Sequence, residues 1–411
     1  MAEMKKADGF VDWLDQRLAV KALSKVLMTE YWVPKNINFL WAMGIVLAIL
    51  FTLLVVSGIF LLMYYKPDTK LAFDSVNFTI MNEVAFGWLW RHIHAVSASL
   101  IFLIIYIHMF VGIYYGSFKR GREMIWVSGM LLFVLFSAEA FSGYMLPWGQ
   151  MSYWAAKVIT DLFGKMPFIG PDLVVWIRGD FIPADATLTR FFMLHVFLLP
   201  LAIMLLIVIH FYSLRIPHVN NQDGENIDFD TESKKYLEGK KKESKVIPFW
   251  PVFLSKDIFV VCAFLTFFFY LVCFNFNFAM DPINFDPANS LKTPAHIYPE
   301  WYFLWSYEIL RGFQSYESLG LIFFGIAQVI FFAMPVLDRS RAVLPAHKRP
   351  MFCIWFFLLI IDMLTLTIFG KLPPEGINNT IGFIATLLFI LLFIALPIIT
   401  KLEDSKYGGS K

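Results

Sequence analysis

The chain has 411 residues, of which 58% are hydrophobic and only 16% are charged. A water-soluble protein of this size has a much lower apolar fraction, so the composition predicts an integral membrane protein. The formal net charge of +2 gives no reason to expect nucleic acid as a partner. Three cysteines, Cys262, Cys273 and Cys353, stand singly in apolar segments, which is typical of small core residues.

Eight apolar segments are long enough for helices that cross the bilayer, since about 20 mostly apolar residues span its hydrocarbon core. They predict an all-α, polytopic fold. Lys and Arg are concentrated at both ends of the chain and in the loops after the second, fourth and sixth segments, which predicts cytoplasmic termini. The predicted spans cover residues 39–63, 93–115, 124–146, 191–213, 257–278, 319–337, 351–369 and 379–400.

A polar stretch near the middle of the chain, residues 220–245, predicts that the chain is organised as two membrane domains joined by a connector. Residues 1–219 form an N-terminal domain with a four-helix bundle, 220–250 a cytoplasmic connector, and 251–411 a C-terminal domain with four more helices. The loops 147–190 and 279–318 are rich in aromatic residues and proline. We expect both loops to fold back against the external membrane face.

Four histidines lie within two of the predicted spans. His94 and His108 are 14 residues apart in the second span, and His195 and His210 are 15 apart in the fourth. At about 100° per residue, each helix presents two imidazoles on roughly one face, about 21–22 Å apart along its axis. A lone histidine in a membrane is more often a hydrogen-bonded core residue, but this repeated spacing favours ligands.

Antiparallel packing of the two helices is expected to join His94 to His195 near the external side and His108 to His210 near the cytoplasmic side. Each pair could hold the iron of a heme b, with one imidazole in each axial position. Such an iron transfers electrons and has no position left for oxygen or substrate. The histidines therefore predict two hemes, one above the other, across the membrane.

Glycines repeat with the same spacing in two other spans. Gly44 and Gly58 lie in the first span and Gly129 and Gly143 in the third, both pairs 14 residues apart. Small residues also permit tight packing of membrane helices. Because the spacing matches that of the histidines, we interpret these glycines as positions where a porphyrin edge approaches the backbone.

Four ordered segments resemble cytochrome b of the quinol-oxidising bacterial bc complexes, respiratory complex III. They are RHIHAVSASLIFLIIYIHMFVGIYYGS, GYMLPWGQMSYW, TLTRFFMLHVFLLP and PEWYFLWSYEILR. The resemblance covers residues 32–370. It implies that His94 and His195 hold a low-potential heme, His108 and His210 a high-potential heme, and that Arg91 pairs with a heme propionate. An interfacial arginine that extends to the lipid headgroups is the alternative for Arg91.

The resemblance also implies two quinone sites. At the external site Glu300 takes a proton from quinol beside Tyr302; the alternative is a loop glutamate that stabilises the turn after a proline. At the cytoplasmic site Asp257 delivers protons to quinone, with Lys256 assisting; the alternative is an acid that interacts with a helix dipole. Further quinone contacts are expected from Pro299, Trp301, Trp148 and Met151 at the external site and from His218 at the cytoplasmic site.

The implied activity is that of a quinol:cytochrome c oxidoreductase of the bacterial inner membrane that contributes to the proton motive force. One electron of each quinol crosses through both hemes, and the other leaves through a Rieske iron–sulfur partner and a cytochrome c-type subunit. Membrane lipids and a second copy of the complex are further expected partners. Two alternatives remain: a di-heme membrane anchor of a dehydrogenase or hydrogenase, and a transporter or channel with incidental histidines.

Overall fold

The computed structural model describes residues 9–19, 21, 30–313 and 317–407. Within these residues, eight helices are long and apolar enough to cross a membrane, which confirms the predicted all-α, polytopic fold. We number them in chain order: α1 Phe39–Leu62, α2 Gly87–Tyr114, α3 Glu123–Met145, α4 Asp185–Arg215, α5 Phe249–Phe274, α6 Leu319–Leu337, α7 Pro350–Lys371 and α8 Ile377–Asp404.

Several of the helices begin or end at other residues than the predicted apolar segments do. Helix α2 begins at Gly87, so that Arg91 lies within the helix, about one turn before His94. Helix α5 ends at Phe274, because Asn275 leaves the helical conformation. Apolar composition defines the part of a helix that lies in lipid, whereas its backbone hydrogen bonds continue through polar residues at the ends.

One cluster of buried apolar side chains includes residues from all eight helices. In the N-terminal half α1 packs on α2, and α3 packs on α4. In the C-terminal half α7 packs on α8, and α2 also contacts α5. The two halves therefore share one core, and the three-part division of the chain remains a prediction about its organisation.

Short elements cover both ends of the helices. Strand β1 (Trp32–Pro34) pairs antiparallel with strand β2 (Val246–Pro248), with Val33 opposite Ile247. The segment 220–250 is therefore ordered by pairing with the N-terminal part of the chain. The shorter helices include Phe10–Leu18, Ser75–Glu83, Gln150–Gly164, Gly170–Arg178, Phe229–Leu237 and Leu304–Gly312.

The two aromatic-rich loops contact one another. The backbone N–H of Asn289 donates to Gln150 Oε1 at 2.7 Å, and the backbone N–H of Ser152 donates to Asn284 Oδ1 at 2.8 Å. A Cβ at Gly149 would overlap both the backbone and the side-chain oxygens of Asn284, so only glycine permits this approach. These contacts hold the two loops together next to the cavity described below.

Candidate functional site

The four membrane histidines form two pairs. The ring centroids of His94 and His195 lie 6.1 Å apart, and those of His108 and His210 lie 6.4 Å apart. Two metal–nitrogen bonds of about 2 Å, together with roughly 1.1 Å from each nitrogen to its ring centroid, give about 6 Å. Both pairs therefore have the separation that one iron between two imidazoles requires.

The direction of the two histidine helices differs from expectation. The first histidine of α2 pairs with the first of α4, and the second with the second, so the helices run in the same direction. The prediction of antiparallel packing was wrong, because two spans separated by a single span cross the membrane in the same sense. The structure nevertheless pairs each histidine with its predicted partner.

A π-helical turn in α4 accommodates the longer histidine spacing. Residues Leu194–Leu198 form this turn, and the backbone N–H of Leu199 donates to the carbonyl of Leu194, five residues earlier. Pro200 follows and has no N–H to donate. A π-turn inserts one residue without a matching rotation of the helix. The 15-residue interval from His195 to His210 therefore keeps both rings on one face.

Hydrogen bonds at Nδ1 orient three of the four imidazoles. His94 Nδ1 lies 3.0 Å from Ser57 Oγ, and His210 Nδ1 lies 2.9 Å from Ser128 Oγ. His195 Nδ1 donates to the backbone carbonyl of Glu139 at 3.1 Å. An Nδ1 that carries the hydrogen leaves Nε2 as the free ligand nitrogen. Sequence reasoning missed the two serines, although each directly precedes one of the spaced glycines.

Each of the four glycines lies beside a histidine ring. A Cβ at Gly58 would approach His94 Cε1 to 3.3 Å, and one at Gly129 would approach His210 Cε1 to 3.2 Å. A Cβ at Gly143 would overlap the ring of His195, and at Gly44 it would lie 3.9 Å from His108 Cε1. Gly58, Gly129 and Gly143 therefore make room for the imidazoles themselves, whereas a Cβ at Gly44 would make only an ordinary contact.

A cavity surrounds the His94–His195 pair. His94, His195, Arg91, Glu300 and Tyr302 line it, its volume is about 280 Å³, and it is partly open to the surroundings. Most of its lining is apolar and only a few polar groups converge in it, which is typical of a site for a small ligand or cofactor. No carboxylate of the described residues lies within ion-pair distance of Arg91, whose cationic group therefore remains free for an anionic partner.

Glu300 is a titratable group that lines this cavity. Burial raises the pKa of its carboxyl to about 7, although a hydrogen bond from the Tyr144 hydroxyl opposes the shift. The negative charge of Asp281 raises this pKa further, and Lys371 lowers it. A carboxyl with this pKa can accept and release a proton near neutral pH. Sequence reasoning missed Tyr144, which lies on α3 and far from Glu300 in the chain.

Tyr302 is held in place next to Glu300. Its ring stacks on Phe102 with centroids 4.0 Å apart, and its backbone carbonyl accepts a hydrogen bond from the Tyr106 hydroxyl at 2.6 Å. Trp305 Nε1 donates to the same Tyr106 hydroxyl at 2.8 Å. These bonds fix the segment that carries Glu300 against α2, the helix of His94.

Four of the predicted external quinone contacts do not line this cavity. Trp301 Nε1 donates to Ser99 Oγ at 2.8 Å, and Ser99 is the residue that reaches the cavity. Trp148 is buried against Tyr153. These side chains stabilise the loops that form the wall and are not part of it. The four residues are Pro299, Trp301, Trp148 and Met151.

A second cavity lies at the other end of the helices. Asp257, Lys256 and Asn38 line it together with apolar side chains. His218 does not reach it, because its ring is stacked between Tyr31 and Phe229 with centroids 5.4 and 4.1 Å away. The assignment of His218 to the quinone site therefore stays a prediction, and position in the sequence did not indicate this aromatic stack.

Two protein-family models match most of the chain. Cytochrome b/b6/petB matches residues 28–217, and Cytochrome b(C-terminal)/b6/petD matches residues 287–390. The chain belongs to the cytochrome b family. Members of this family bind heme b and act in electron transfer and quinol oxidation. The eight apolar helices and the bacterial relatives indicate a multi-pass protein of the inner membrane.

Relatives of this cytochrome b cover nearly its whole length. Cytochrome b of Rhodobacter capsulatus is 41% identical over 96% of this chain and 92% of its own length. Cytochrome b of Allochromatium vinosum is 37% identical over 96% of both chains. A chain of the solved "Hyperthermophilic respiratory Complex III" superposes with a TM-score of 0.88 and is 38% identical, covering 96% of this chain and all of its own.

Proposed function

We propose that this chain is the di-heme subunit of a bacterial quinol:cytochrome c oxidoreductase and oxidises quinol at its external face. One observation carries the proposal: the His94–His195 pair and Glu300 line the same cavity. A quinol bound in this cavity would therefore lie near an electron acceptor, the heme that the His94–His195 pair would hold, and near a proton acceptor, Glu300. The similarity to a chain of respiratory complex III supports the same activity.

The chain's own residues suit two heme b groups. His94 and His195 would hold one iron, and His108 and His210 the other. The four spaced glycines, each next to one of these histidine rings, would leave space for the porphyrin edges; they are Gly44, Gly58, Gly129 and Gly143. Arg91 would neutralise a propionate of the external heme, since it lines that cavity without a carboxylate partner among the described residues. When bound, the hemes supply one-electron transfer between the two sides of the membrane.

Glu300 would accept a proton from the quinol hydroxyl at a carboxyl oxygen. Burial keeps its pKa near the working pH, and the Tyr144 hydroxyl donates a hydrogen bond that orients the carboxylate. Tyr302 forms the adjacent apolar wall, held by its stack on Phe102. Oxidation of one quinol releases two electrons and two protons, so one electron must leave for a second acceptor. We propose a Rieske iron–sulfur partner and then a cytochrome c-type subunit for this role.

The cytoplasmic cavity is the proposed site of quinone reduction. Asp257 is 6% exposed and lies beside Lys256 and Asn38, so that an acid, a base and an amide face one apolar space. Asp257 would transfer protons to quinone, with Lys256 as its electrostatic partner. This arrangement requires both termini on the cytoplasmic side, as the distribution of Lys and Arg predicts. A dimeric complex in the lipid bilayer remains part of the proposal.

The substitution Glu300→Gln separates this function from that of a di-heme anchor. Gln keeps the size of the side chain but cannot accept a proton, so quinol oxidation should fall about 100-fold or more while both hemes remain. The rate is measured in the purified complex with a quinol and a cytochrome c. Glu375→Gln, an exposed acid in the loop between α7 and α8, is the control and should leave the rate unchanged. An unchanged rate in Glu300→Gln would favour the anchor.

A further inference from the structure

Glu300 lies at the turn of a hairpin, residues 296–312, whose two arms are bonded to each other. The chain turns through the 3-10 helix Trp301–Phe303 and returns as a short α-helix. The Tyr307 hydroxyl of the returning arm donates to the carbonyl of Ile297 in the entering arm at 2.9 Å. The place of the Glu300 carboxyl therefore depends on how the base of this hairpin is held.

Arg311, near the end of the returning arm, forms a second bond between the arms. Its Nη1 donates to Nε2 of His296, the first residue of the hairpin, at 3.3 Å. Burial and the positive charge of Arg311 lower the pKa of His296, although the charge of Asp281 opposes this shift. A neutral imidazole has one nitrogen that can accept a hydrogen bond, as this contact requires.

The same guanidinium holds the hairpin against the end of α7. Arg311 Nη1 donates to the carbonyl of Leu372 at 2.8 Å, and Nη2 donates to the carbonyl of Phe369. A Cβ at Gly370 would overlap the carbonyl of Leu304, so α7 and the returning arm are in direct backbone contact. Hairpin and helix end are therefore fixed relative to each other.

The segment of α7 that Arg311 holds includes Lys371, whose charge acts on Glu300. Burial raises the pKa of the Glu300 carboxyl, and a hydrogen bond from the Tyr144 hydroxyl opposes this shift. The negative charge of Asp281 raises the same pKa, and the positive charge of Lys371 lowers it. A displacement of the end of α7 would therefore change the protonation of Glu300 as well as its position.

Glu308 compensates the positive charge of Arg311. Arg311 Nη2 lies 2.5 Å from Glu308 Oε2, and both side chains are almost fully buried. A buried guanidinium is stable only with a partner of opposite charge and further hydrogen bonds, and Arg311 has both. A Cβ at Gly382 of α8 would overlap the carboxyl of Glu308, so this ion pair is also packed against α8.

We propose that Arg311 is a positioning residue for quinol oxidation, because it fixes the base of the hairpin and the end of α7 and thereby places the Glu300 carboxyl in the cavity. The proposal rests on the role given to Glu300 above. Arg311 does not line the cavity of the His94–His195 pair. It therefore acts through Glu300 and does not contact quinol.

A double-mutant cycle with Glu300 tests this proposal in the purified complex. Arg311→Gln should lower kcat/KM for quinol about tenfold or more, since a misplaced carboxyl accepts the proton poorly. In the Glu300→Gln background the same substitution should lower the residual kcat/KM by less than about twofold. Because Lys371 is no longer held, the pH at which kcat/KM rises should move upwards in Arg311→Gln.

Tyr307→Phe is a milder variant that removes only the other bond between the arms. It should lower kcat/KM about threefold, and this loss should again disappear in the Glu300→Gln background. Arg178→Gln is the control, since Arg178 is also buried and donates to Asp161 and to the carbonyl of Phe181 in the other aromatic-rich loop. It should lower the thermal stability and leave the pH dependence unchanged.

The results distinguish the positioning role from the proposed function. Losses of equal size with and without Glu300 would overturn the role of Arg311, because they would show an effect on the fold in general. A pH dependence that Arg311→Gln leaves unchanged would overturn it too. An unchanged rate in Glu300→Gln alone would instead refute the proposed function.

Discussion

At the scale of single residues, the pKa of Glu300 predicts how quinol oxidation depends on pH. Burial raises this pKa to about 7, and only the ionised carboxylate can accept the quinol proton. The value of kcat/KM should therefore rise as pH increases through about 7 and level off above it. In Glu300→Gln the residual rate should lack this inflection. An inflection near pH 7 that persists in the variant would assign the titration to another group.

Two glycines give a second residue-scale prediction with a built-in control. A Cβ at Gly143 would overlap the ring of His195, whereas a Cβ at Gly325 of α6 would have nothing within 4 Å. Gly143→Ala should therefore displace His195 and lose the heme proposed for the His94–His195 pair, while Gly325→Ala keeps both hemes. Optical difference spectra of the purified variants measure this directly. Equal heme content in the two variants would contradict the role given to Gly143.

Residue types and spacing predicted which histidines pair, but not what surrounds them. His94 and His195 are recognisable because histidine is rare in a membrane span and its spacing here is regular. Glu139 had no assigned role in the sequence, since its contact with His195 joins residues 56 positions apart. His218 and Trp148 were assigned to quinone cavities, yet their rings are buried in local aromatic packing. Side-chain direction in loops depends on tertiary contacts that a motif does not contain.

At the scale of elements, the π-turn in α4 predicts an unusual tolerance of deletion. Phe197 lies in the turn and is 60% exposed, so its removal should convert the turn to ordinary α-helix and keep both histidines on one face. Leu205 is similarly exposed, at 65%, but lies in regular helix. Its removal should rotate His210 by about 100° relative to His195.

Heme content distinguishes these two deletions. The Phe197 deletion should retain two hemes per chain, and the Leu205 deletion should lose the cytoplasmic one. Loss of heme from the first, or retention of both by the second, would show that the π-turn does not set the register of the histidines.

The sequence predicted which segments form membrane helices more reliably than how those helices are arranged. Apolar length located all eight spans, because the bilayer imposes that length on any helix that crosses it. The relative direction of α2 and α4 was predicted wrongly, although counting spans would have given it. The π-turn could not be foreseen, since the 15-residue interval is compatible with a regular helix whose histidines diverge.

At the scale of the whole molecule, a buried ionic network joins the two halves. Lys119, between α2 and α3, lies 2.7 Å from Asp338, which follows α6. Arg349 donates to both oxygens of Asp338 at 2.8 and 2.9 Å and to Glu403 of α8 at 3.0 Å. All four side chains are almost fully buried.

Removing one member of this network should therefore destabilise the whole fold. Arg349→Ala leaves buried carboxylates without their main partner and should cost about 3–5 kcal/mol in the free energy of unfolding. The neighbouring pair of Lys348 and Asp223 is 41% and 49% exposed, so Lys348→Ala should cost no more than about 1 kcal/mol. Unfolding of both variants in detergent measures the difference. Equal stabilities would mean that the network does not stabilise the fold.

Heme content measured by the pyridine hemochrome assay tests the central claim most directly. The unsubstituted chain should contain two b hemes. Alanine at both His94 and His195 should remove one, and alanine at both His108 and His210 should remove the other. A colourless protein, or one that keeps two hemes after all four histidines are replaced, would contradict the account.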